Sequence, residues 1–99
     1  MRTFRITPRA RADLISIGGY TQSQWGRSQR NSYLKKMEAR FHWLAANPQL
    51  GRDRTDVAPG YRSFPEGSHV IFYVIRETTI DIIGVPHKAM DVINYFSNE

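Results

Sequence analysis

The start of the chain changes from alternating to helical spacing of its apolar residues. Residues 2–6 alternate, with Phe4 and Ile6 on one side and arginines around them, which predicts a short β-strand. Thr7 and Pro8 then suit the N-cap and the first turn of a helix. Apolar residues three or four positions apart follow, so we predict a first helix over about residues 8–25.

Two adjacent glycines, Gly18 and Gly19, lie in the middle of this predicted helix. Each lowers the stability of a helix by about 1 kcal/mol relative to alanine. We therefore expect either a kink or the close approach of another helix at this point.

A second helix is predicted after Gly26, with Ser28 as its N-cap and its end near Ala46. Its apolar residues form a stripe that should face a core, namely Leu34, Met37, Phe41 and Leu44. Because a glycine turn alone joins the two helices, we expect them to form an antiparallel hairpin.

The second half of the chain is predicted to be mostly strands. Residues 47–60 have the Pro, Gly, Asp and Asn content of a loop. The remaining predicted elements are strands Tyr61 to Phe64, His69 to Arg76 and Thr79 to Val85, with turns at 65–68 and 77–78, and a short helix from His87 to Phe96. Helices grouped ahead of consecutive strands indicate a single α+β domain over residues 1–99, in which an N-terminal strand precedes a helical hairpin, a three-stranded antiparallel sheet and a short C-terminal helix.

Positive charge is concentrated in the first two-thirds of the chain. Residues 1–62 hold twelve Lys and Arg against four Asp and Glu, a balance of 12 − 4 = +8, whereas residues 63–99 give 2 − 5 = −3. Such a field attracts nucleic acid or an acidic protein partner. A solvated basic surface and a plain nucleic-acid-binding module are the alternatives that charge alone leaves open.

Several classes of protein are excluded or disfavoured by composition. The chain has no cysteine, which excludes disulfides and thiolate metal sites and fits a reducing compartment. The longest strongly apolar run, residues 70–75, is far shorter than a membrane-spanning helix. The N-terminal residues do not resemble a signal peptide, so we expect a cytoplasmic protein that begins at Met1 and has no membrane partner, metal or cofactor.

Five short segments are weak signals separately, but their order and spacing extend over nearly the whole chain. They are residues 20–26 (YTQSQWG), 44–52 (LAANPQLGR), 60–64 (GYRSF), 67–73 (GSHVIFY) and 87–91 (HKAMD). In this arrangement they resemble the ParE toxins, a branch of the RelE/ParE superfamily of bacterial type II toxin–antitoxin systems.

This resemblance implies a fold, a partner and a target. Proteins of this kind share the predicted fold and form a hetero-oligomer with a ParD-like antitoxin, whose C-terminal half folds around the toxin. The antitoxin supplies the DNA-binding half, so direct sequence-specific DNA binding by this chain is not expected. ParE-like toxins inhibit DNA gyrase, whereas RelE-like relatives on the same fold cut messenger RNA in the ribosome, and fold alone does not separate the two.

The candidate antitoxin contacts are aromatic and cationic residues of the two helices. Large aromatic side chains flanked by cations are good anchors for an acidic amphipathic segment. The candidates are Tyr20, Trp25, Tyr33, Lys36, Arg40 and Trp43. The alternative is that the aromatic rings cover the hairpin edge or pack on the sheet.

The candidate toxic surface lies in the second half of the chain. It comprises Arg62, Arg76, His87, Lys88, Met90 and Asp91. Arg62 and His87 are the candidates for RNA cleavage, but such chemistry needs a base, an acid and several cations, and no lysine occurs between Lys36 and Lys88. A binding protein without catalysis is therefore favoured. Arg62 could equally brace the sheet, through Asp91 or Asp56, and His87 could be a cap or a surface donor.

Overall fold

A computed structural model of the chain describes residues 3–97. The elements in chain order are β1 (Thr3–Ile6), α1 (Pro8–Trp25), α2 (Arg27–Ala46), β2 (Arg52–Asp53), β3 (Tyr61–Glu66), β4 (His69–Ile75), β5 (Thr79–Gly84) and α3 (Val92–Ser97), with a turn of 3-10 helix at Pro48–Leu50. The predicted α+β class is confirmed, with the N-terminal strand, the antiparallel hairpin, the antiparallel strands and the short C-terminal helix in the predicted order. None of the helices within residues 3–97 is both long enough and apolar enough to cross a membrane.

The strands form one sheet that is larger than predicted. Its order is β1-β5-β4-β3-β2, and β1 pairs parallel to β5 whereas the other neighbours are antiparallel. The prediction of three strands was incomplete, because β1 joins the sheet beside the last strand and β2 forms inside the predicted loop 47–60. The hairpin thus connects β1 at one edge of the sheet with β2 at the other edge, and it is held against the sheet.

The core lies between the hairpin and the sheet. The stripe predicted on α2 faces it: Met37, Phe41 and Leu44 are buried, and Leu34 is partly buried against them. Ile71, Tyr73, Ile80 and Ile82 meet them from the sheet. The opposite face of the sheet is covered by α3, whose Phe96 ring lies 5.0 Å from that of Phe72 and 5.1 Å from that of Tyr61, measured between ring centres.

The two helices approach each other closely at one of the paired glycines. A Cβ atom added to Gly18 would lie 3.3 Å from Leu34 Cδ1, so this glycine allows α2 to pack against α1. Helix α1 continues unbroken through the pair. The expectation of a close helix–helix approach is therefore confirmed at Gly18.

The start of α2 and the β3–β4 turn differ from prediction. The expected cap at Ser28 was wrong: α2 begins at Arg27, directly after Gly26, whose φ of 91° is a conformation that favours glycine. Residues 65 and 66 were predicted as turn but extend β3, where Pro65 opposes Val70. Because the Val70 N–H bonds in the other direction, to Pro86, the missing N–H of Pro65 faces the outer edge of the strand, where proline is tolerated.

The C-terminal helix is shorter than predicted. It does not begin at His87; residues 87–90 form a turn, and the helix proper starts at Val92. His87 makes a β-bridge with His69, and the Lys88 N–H donates to the Ser68 carbonyl at 2.9 Å. These residues therefore pair with the start of β4 instead of forming a helix. Asp91 then accepts the N–H of Ile93 at 3.1 Å and caps α3. Strands β4 and β5 each end one residue earlier than predicted.

Candidate functional site

A groove runs along α1, between this helix and the segment that follows β5. It consists of two adjoining hollows of about 260 and 280 Å³ that share Tyr20 and His87. We call it the α1 groove. Its walls come from α1 (Asp13, Ser16, Ile17, Tyr20, Thr21, Trp25), α2 (Gln29, Tyr33), the β3–β4 turn (Ser68), β4 (His69) and the last segment (Val85, Pro86, His87, Met90).

Tyr33 closes one wall of the α1 groove by joining α2 to the β3–β4 turn. Its hydroxyl accepts the N–H of Ser68 at 3.0 Å and lies 2.7 Å from Nδ1 of His69. The turn can pass this close because residue 67 is glycine: its φ is 59°, and an added Cβ would lie 2.6 Å from the Tyr33 ring. Burial raises the pKa of the Tyr33 hydroxyl, so it remains a neutral hydrogen-bonding group near neutral pH.

Two histidines meet at the floor of the α1 groove. The rings of His69 and His87 are edge to face, with centres 5.4 Å apart, above the backbone bridge that joins them. Burial, with a smaller effect of His87, lowers the pKa of His69, whereas Asp13 opposes that change. His69 is therefore neutral at pH 7 and serves as a hydrogen-bonding partner of Tyr33.

Asp13 connects α1 to the segment after β5 and to α3. Its Oδ2 accepts the N–H of Val85 at 2.8 Å and a short hydrogen bond from the Tyr95 hydroxyl. Arg9 donates to the Tyr95 carbonyl, and its guanidinium lies 4.7 Å from the centre of the Tyr95 ring. Burial and Asp13 raise the pKa of Tyr95, so the hydroxyl keeps its proton. These contacts fix the edge of the groove from which the 87–91 turn begins.

Three of the predicted antitoxin contacts come together at one end of the α1 groove. Tyr20 is 61% exposed and Trp25 is 64% exposed, and their rings are edge to face with centres 6.1 Å apart. Tyr33 lies beside them but is half-buried and hydrogen-bonded within the fold. Tyr20 and Trp25 are thus the two aromatic residues of the set that present most of their surface to solvent.

The other predicted antitoxin contacts lie farther along the same face of α2. Lys36 is exposed, but Arg40 donates to the Glu66 carboxylate at 2.8 Å, and its guanidinium lies 4.8 Å from the ring centre of Trp43. Trp43 in turn packs on Phe64 with ring centres 5.1 Å apart. Arg40 and Trp43 therefore hold α2 against β3.

The predicted toxic surface is divided by the structure. His87, Lys88, Met90 and Asp91 belong to the single turn between β5 and α3, whereas Arg62 lies on β3 and Arg76 follows β4. Arg62 donates to the Gly51 carbonyl at 2.8 Å. Arg62 is therefore a brace, which was the alternative interpretation, but its acceptor is the Gly51 carbonyl and neither Asp91 nor Asp56.

Arg76 lies on the other face of the sheet from the hairpin. It donates to Asp81 Oδ2 at 3.1 Å, and Arg5 reaches the same carboxylate at 3.2 Å. Asp81 alternates with Ile80 and Ile82, which face the hairpin, so Asp81 points away from it. Burial opposes ionisation, but the hydrogen bonds from Arg76 and Arg5 keep the pKa of Asp81 below its ordinary value.

Two ionisable residues of the site, Asp13 and His69, were not among the candidates from the sequence. Asp13 carried one detectable signal, as the single acidic residue of α1. His69 carried none, because a histidine at the start of a strand is common on surfaces. Within residues 3–97 no group of three or more His, Cys, Asp or Glu side chains is placed to hold a metal ion.

Comparison with known proteins gives consistent matches over nearly the whole chain. The family described as "ParE toxin of type II toxin-antitoxin system, parDE" matches residues 4–92. A "Toxin ParE1" of Mycobacterium tuberculosis (strain H37Rv) is 40% identical over 90 residues, which cover 90% of this chain and 92% of that protein. A "Toxin ParE1" of Caulobacter vibrioides is 34% identical over 91 residues, covering 92% and 94%, and a "Toxin ParE" of Escherichia coli is 30% identical over 95 residues, covering 94% and 91%.

A solved structure has the same fold. A chain from the structure titled "Chromosomal ParDE TA system from P. aeruginosa" superposes with a TM-score of 0.75 at 18% sequence identity, covering 88% of this chain and 96% of that one. The likeness at this level of identity concerns the fold.

Proposed function

Because this chain belongs to the ParE toxin family of type II toxin–antitoxin systems, we propose that it acts in the cytoplasm, where a ParD-type antitoxin neutralises it and where the free toxin inhibits DNA gyrase without catalysis of its own. The observation that carries the proposal is the family match over residues 4–92, which includes the hairpin, the sheet and the 87–91 turn.

Antitoxin binding is supported by the chemistry of the hairpin. Residues 8–46 hold seven Lys and Arg against two Asp and Glu, a balance of 7 − 2 = +5. An acidic antitoxin segment would be attracted to this surface and would associate faster for it. Tyr20 and Trp25 are the exposed rings on which such a segment can anchor, since exposed aromatic residues contribute a large share of binding energy at interfaces.

Two arrangements favour binding over RNA cleavage. Arg62 is held by the Gly51 carbonyl, which withdraws its guanidinium from a substrate phosphate. His87 lies against His69, and its Nδ1 accepts the N–H of Ala89 at 3.1 Å. A catalytic base needs an acid and a cation at the same substrate, whereas these two candidates are committed to separate parts of the fold.

The turn 87–91 is the proposed contact with gyrase. It carries a histidine, a lysine and Met90, which is 53% exposed, at the edge of the α1 groove. An exposed methionine beside polar side chains fits a protein surface better than a nucleic-acid backbone. Arg76 lies on another face, so we do not expect it to share this contact.

A supercoiling assay with purified gyrase tests the target. Free toxin should inhibit supercoiling, and Met90→Ala should weaken that inhibition at least fivefold. Leu50→Ala is the matched control, because Leu50 is a similarly exposed apolar residue (58%) in the turn after α2. Equal inhibition by the two variants would remove the 87–91 turn from the contact.

The enzymatic alternative is tested on translated messages. Primer extension after induction should show intact ribosome-bound mRNA. The induced cells should show a DNA damage response and filamentation. New mRNA ends that disappear in the Arg62→Ala or His87→Ala variant, with gyrase unaffected, would replace the proposal by a RelE-like activity.

A further inference from the structure

Methionine is the most easily oxidised type of residue in this chain, which contains no cysteine. Three methionines are present, of which Met1 lies outside the described residues. Met37 is 1% exposed in the core between the hairpin and the sheet, whereas Met90 is 53% exposed in the turn 87–91. Because oxidation of a thioether follows its exposure to solvent, a dissolved oxidant reaches Met90 well before Met37.

The turn that carries Met90 is held by its backbone and by polar side chains. The Met90 N–H donates to the His87 carbonyl at 2.9 Å, and the Ala89 N–H donates to Nδ1 of His87 at 3.1 Å. The next residue, Asp91, caps α3. None of these bonds uses the thioether, so a chemical change in the Met90 side chain should leave the turn and the fold in place.

The side chain of Met90 belongs to an apolar part of the α1 groove. It lines the groove together with Ile17, Val85 and Pro86, all of which are buried apolar residues. A thioether suits such a surface because it is flexible and apolar, whereas a sulfoxide is polar and chiral. Oxidation would therefore put a polar group where an apolar contact with a partner is proposed.

We propose that Met90 is a redox-sensitive modification site, which peroxides convert to methionine sulfoxide, and that the modified toxin inhibits gyrase less. The partner rests on the proposed function, because the same turn is concerned. A lone pair of the Met90 sulfur attacks one oxygen of hydrogen peroxide, the O–O bond breaks as an S–O bond forms, and the second oxygen leaves as water with both protons. The sulfur is oxidised and the peroxide is reduced by one electron pair. Methionine sulfoxide reductases reverse this change, so the loss of inhibition is reversible.

Purified free toxin treated with hydrogen peroxide tests this inference, with catalase added before gyrase so that the oxidant acts on the toxin alone. Peptide mass spectrometry should find one added oxygen on Met90 well before Met37. Inhibition of supercoiling should then fall by roughly fivefold or more, and a methionine sulfoxide reductase should restore it. The melting temperature of the toxin should not change, because the Met90 thioether is not part of the core.

Two leucine variants are matched controls, since leucine has a volume similar to that of methionine and cannot form a sulfoxide. Inhibition by Met90→Leu, at whatever level it begins, should not change on peroxide treatment, although this variant keeps Met1 and Met37. Met37→Leu should inhibit gyrase as the wild type does, and peroxide should weaken its inhibition to the same degree.

The outcomes separate the inference from the proposed function. Unchanged inhibition by toxin that is fully oxidised at Met90 would overturn the inference and leave the proposed function standing. Oxidation of Met37 as fast as Met90, or a loss of inhibition in peroxide-treated Met90→Leu, would overturn it as well. A wild-type toxin that does not inhibit gyrase before treatment would instead refute the proposed function, and the inference with it.

Discussion

The two tryptophans should respond oppositely to truncation, although both were predicted antitoxin contacts. Trp43 packs against Phe64 and the Arg40 guanidinium, whereas Trp25 is 64% exposed and its ring contact within residues 3–97 is with Tyr20. The effect of Trp43→Ala should therefore fall on folding, and that of Trp25→Ala on partner binding.

The magnitudes follow from burial. Truncation of a fully buried aromatic residue costs about 3–5 kcal/mol, and Trp43 is only partly buried, so we expect Trp43→Ala to lower the free energy of unfolding by about 2–3 kcal/mol. Trp25→Ala should lower it by less than about 1 kcal/mol. Loss of an exposed aromatic anchor should weaken antitoxin binding by about 2 kcal/mol, which is roughly thirtyfold.

Urea unfolding should be followed by circular dichroism at 222 nm, since each variant loses a fluorophore, and antitoxin affinity by calorimetry at a temperature where both variants are folded. Greater destabilisation by Trp25→Ala than by Trp43→Ala would contradict these roles of the two tryptophans. An equal loss of affinity in folded Trp43→Ala and Trp25→Ala would contradict them too, since the ring of Trp43 would then contact the partner.

Three further outcomes are expected. Tyr73→Phe removes the hydroxyl that accepts the buried Gly51 N–H and donates to the part-buried Pro48 carbonyl, and it should cost about 2–3 kcal/mol in urea unfolding, whereas Tyr61→Phe should be nearly neutral. Burial holds the pKa of His69 below 6.5. The unfolded chain therefore binds a proton at His69 more readily than the folded chain does, and the free energy of unfolding should fall as the pH drops below 6.5. Unfolding measured as a function of pH should show a smaller fall in the His69→Gln variant. Gly84→Ala places a Cβ 2.6 Å from the Tyr95 hydroxyl and should speed amide exchange in α3, and unchanged protection there would contradict the packing of that helix.

The roles of the predicted site residues depended on contacts between distant parts of the chain. Tyr33, Arg40 and Trp43 lie off the buried stripe of α2, a pattern that suggested a free surface. The end of β3 and the β3–β4 turn lie against that surface, with Ser68 bonded to Tyr33 and Glu66 bonded to Arg40. A periodicity within one helix carries no information on which turn will cover it.

The elements themselves were largely determined by local sequence. Spacing of apolar residues placed both helices and the strands β3, β4 and β5 within a few residues of their observed bounds, because such spacing states which side of an element must be buried. The errors lie where a residue is governed by a distant pairing: Pro65 stays in β3 because its nitrogen faces the open edge, and His87 stays extended because it bridges to His69.

The sequence by itself therefore determined the order of elements, the buried face of the hairpin and the uneven charge, all of which are set by residues close together in the chain. Only the tertiary structure decided that β1 pairs with β5, that Arg62 is a brace, and that Tyr20, Trp25 and His87 share one groove. These contacts join residues far apart in the chain, and they form only when the whole core is packed.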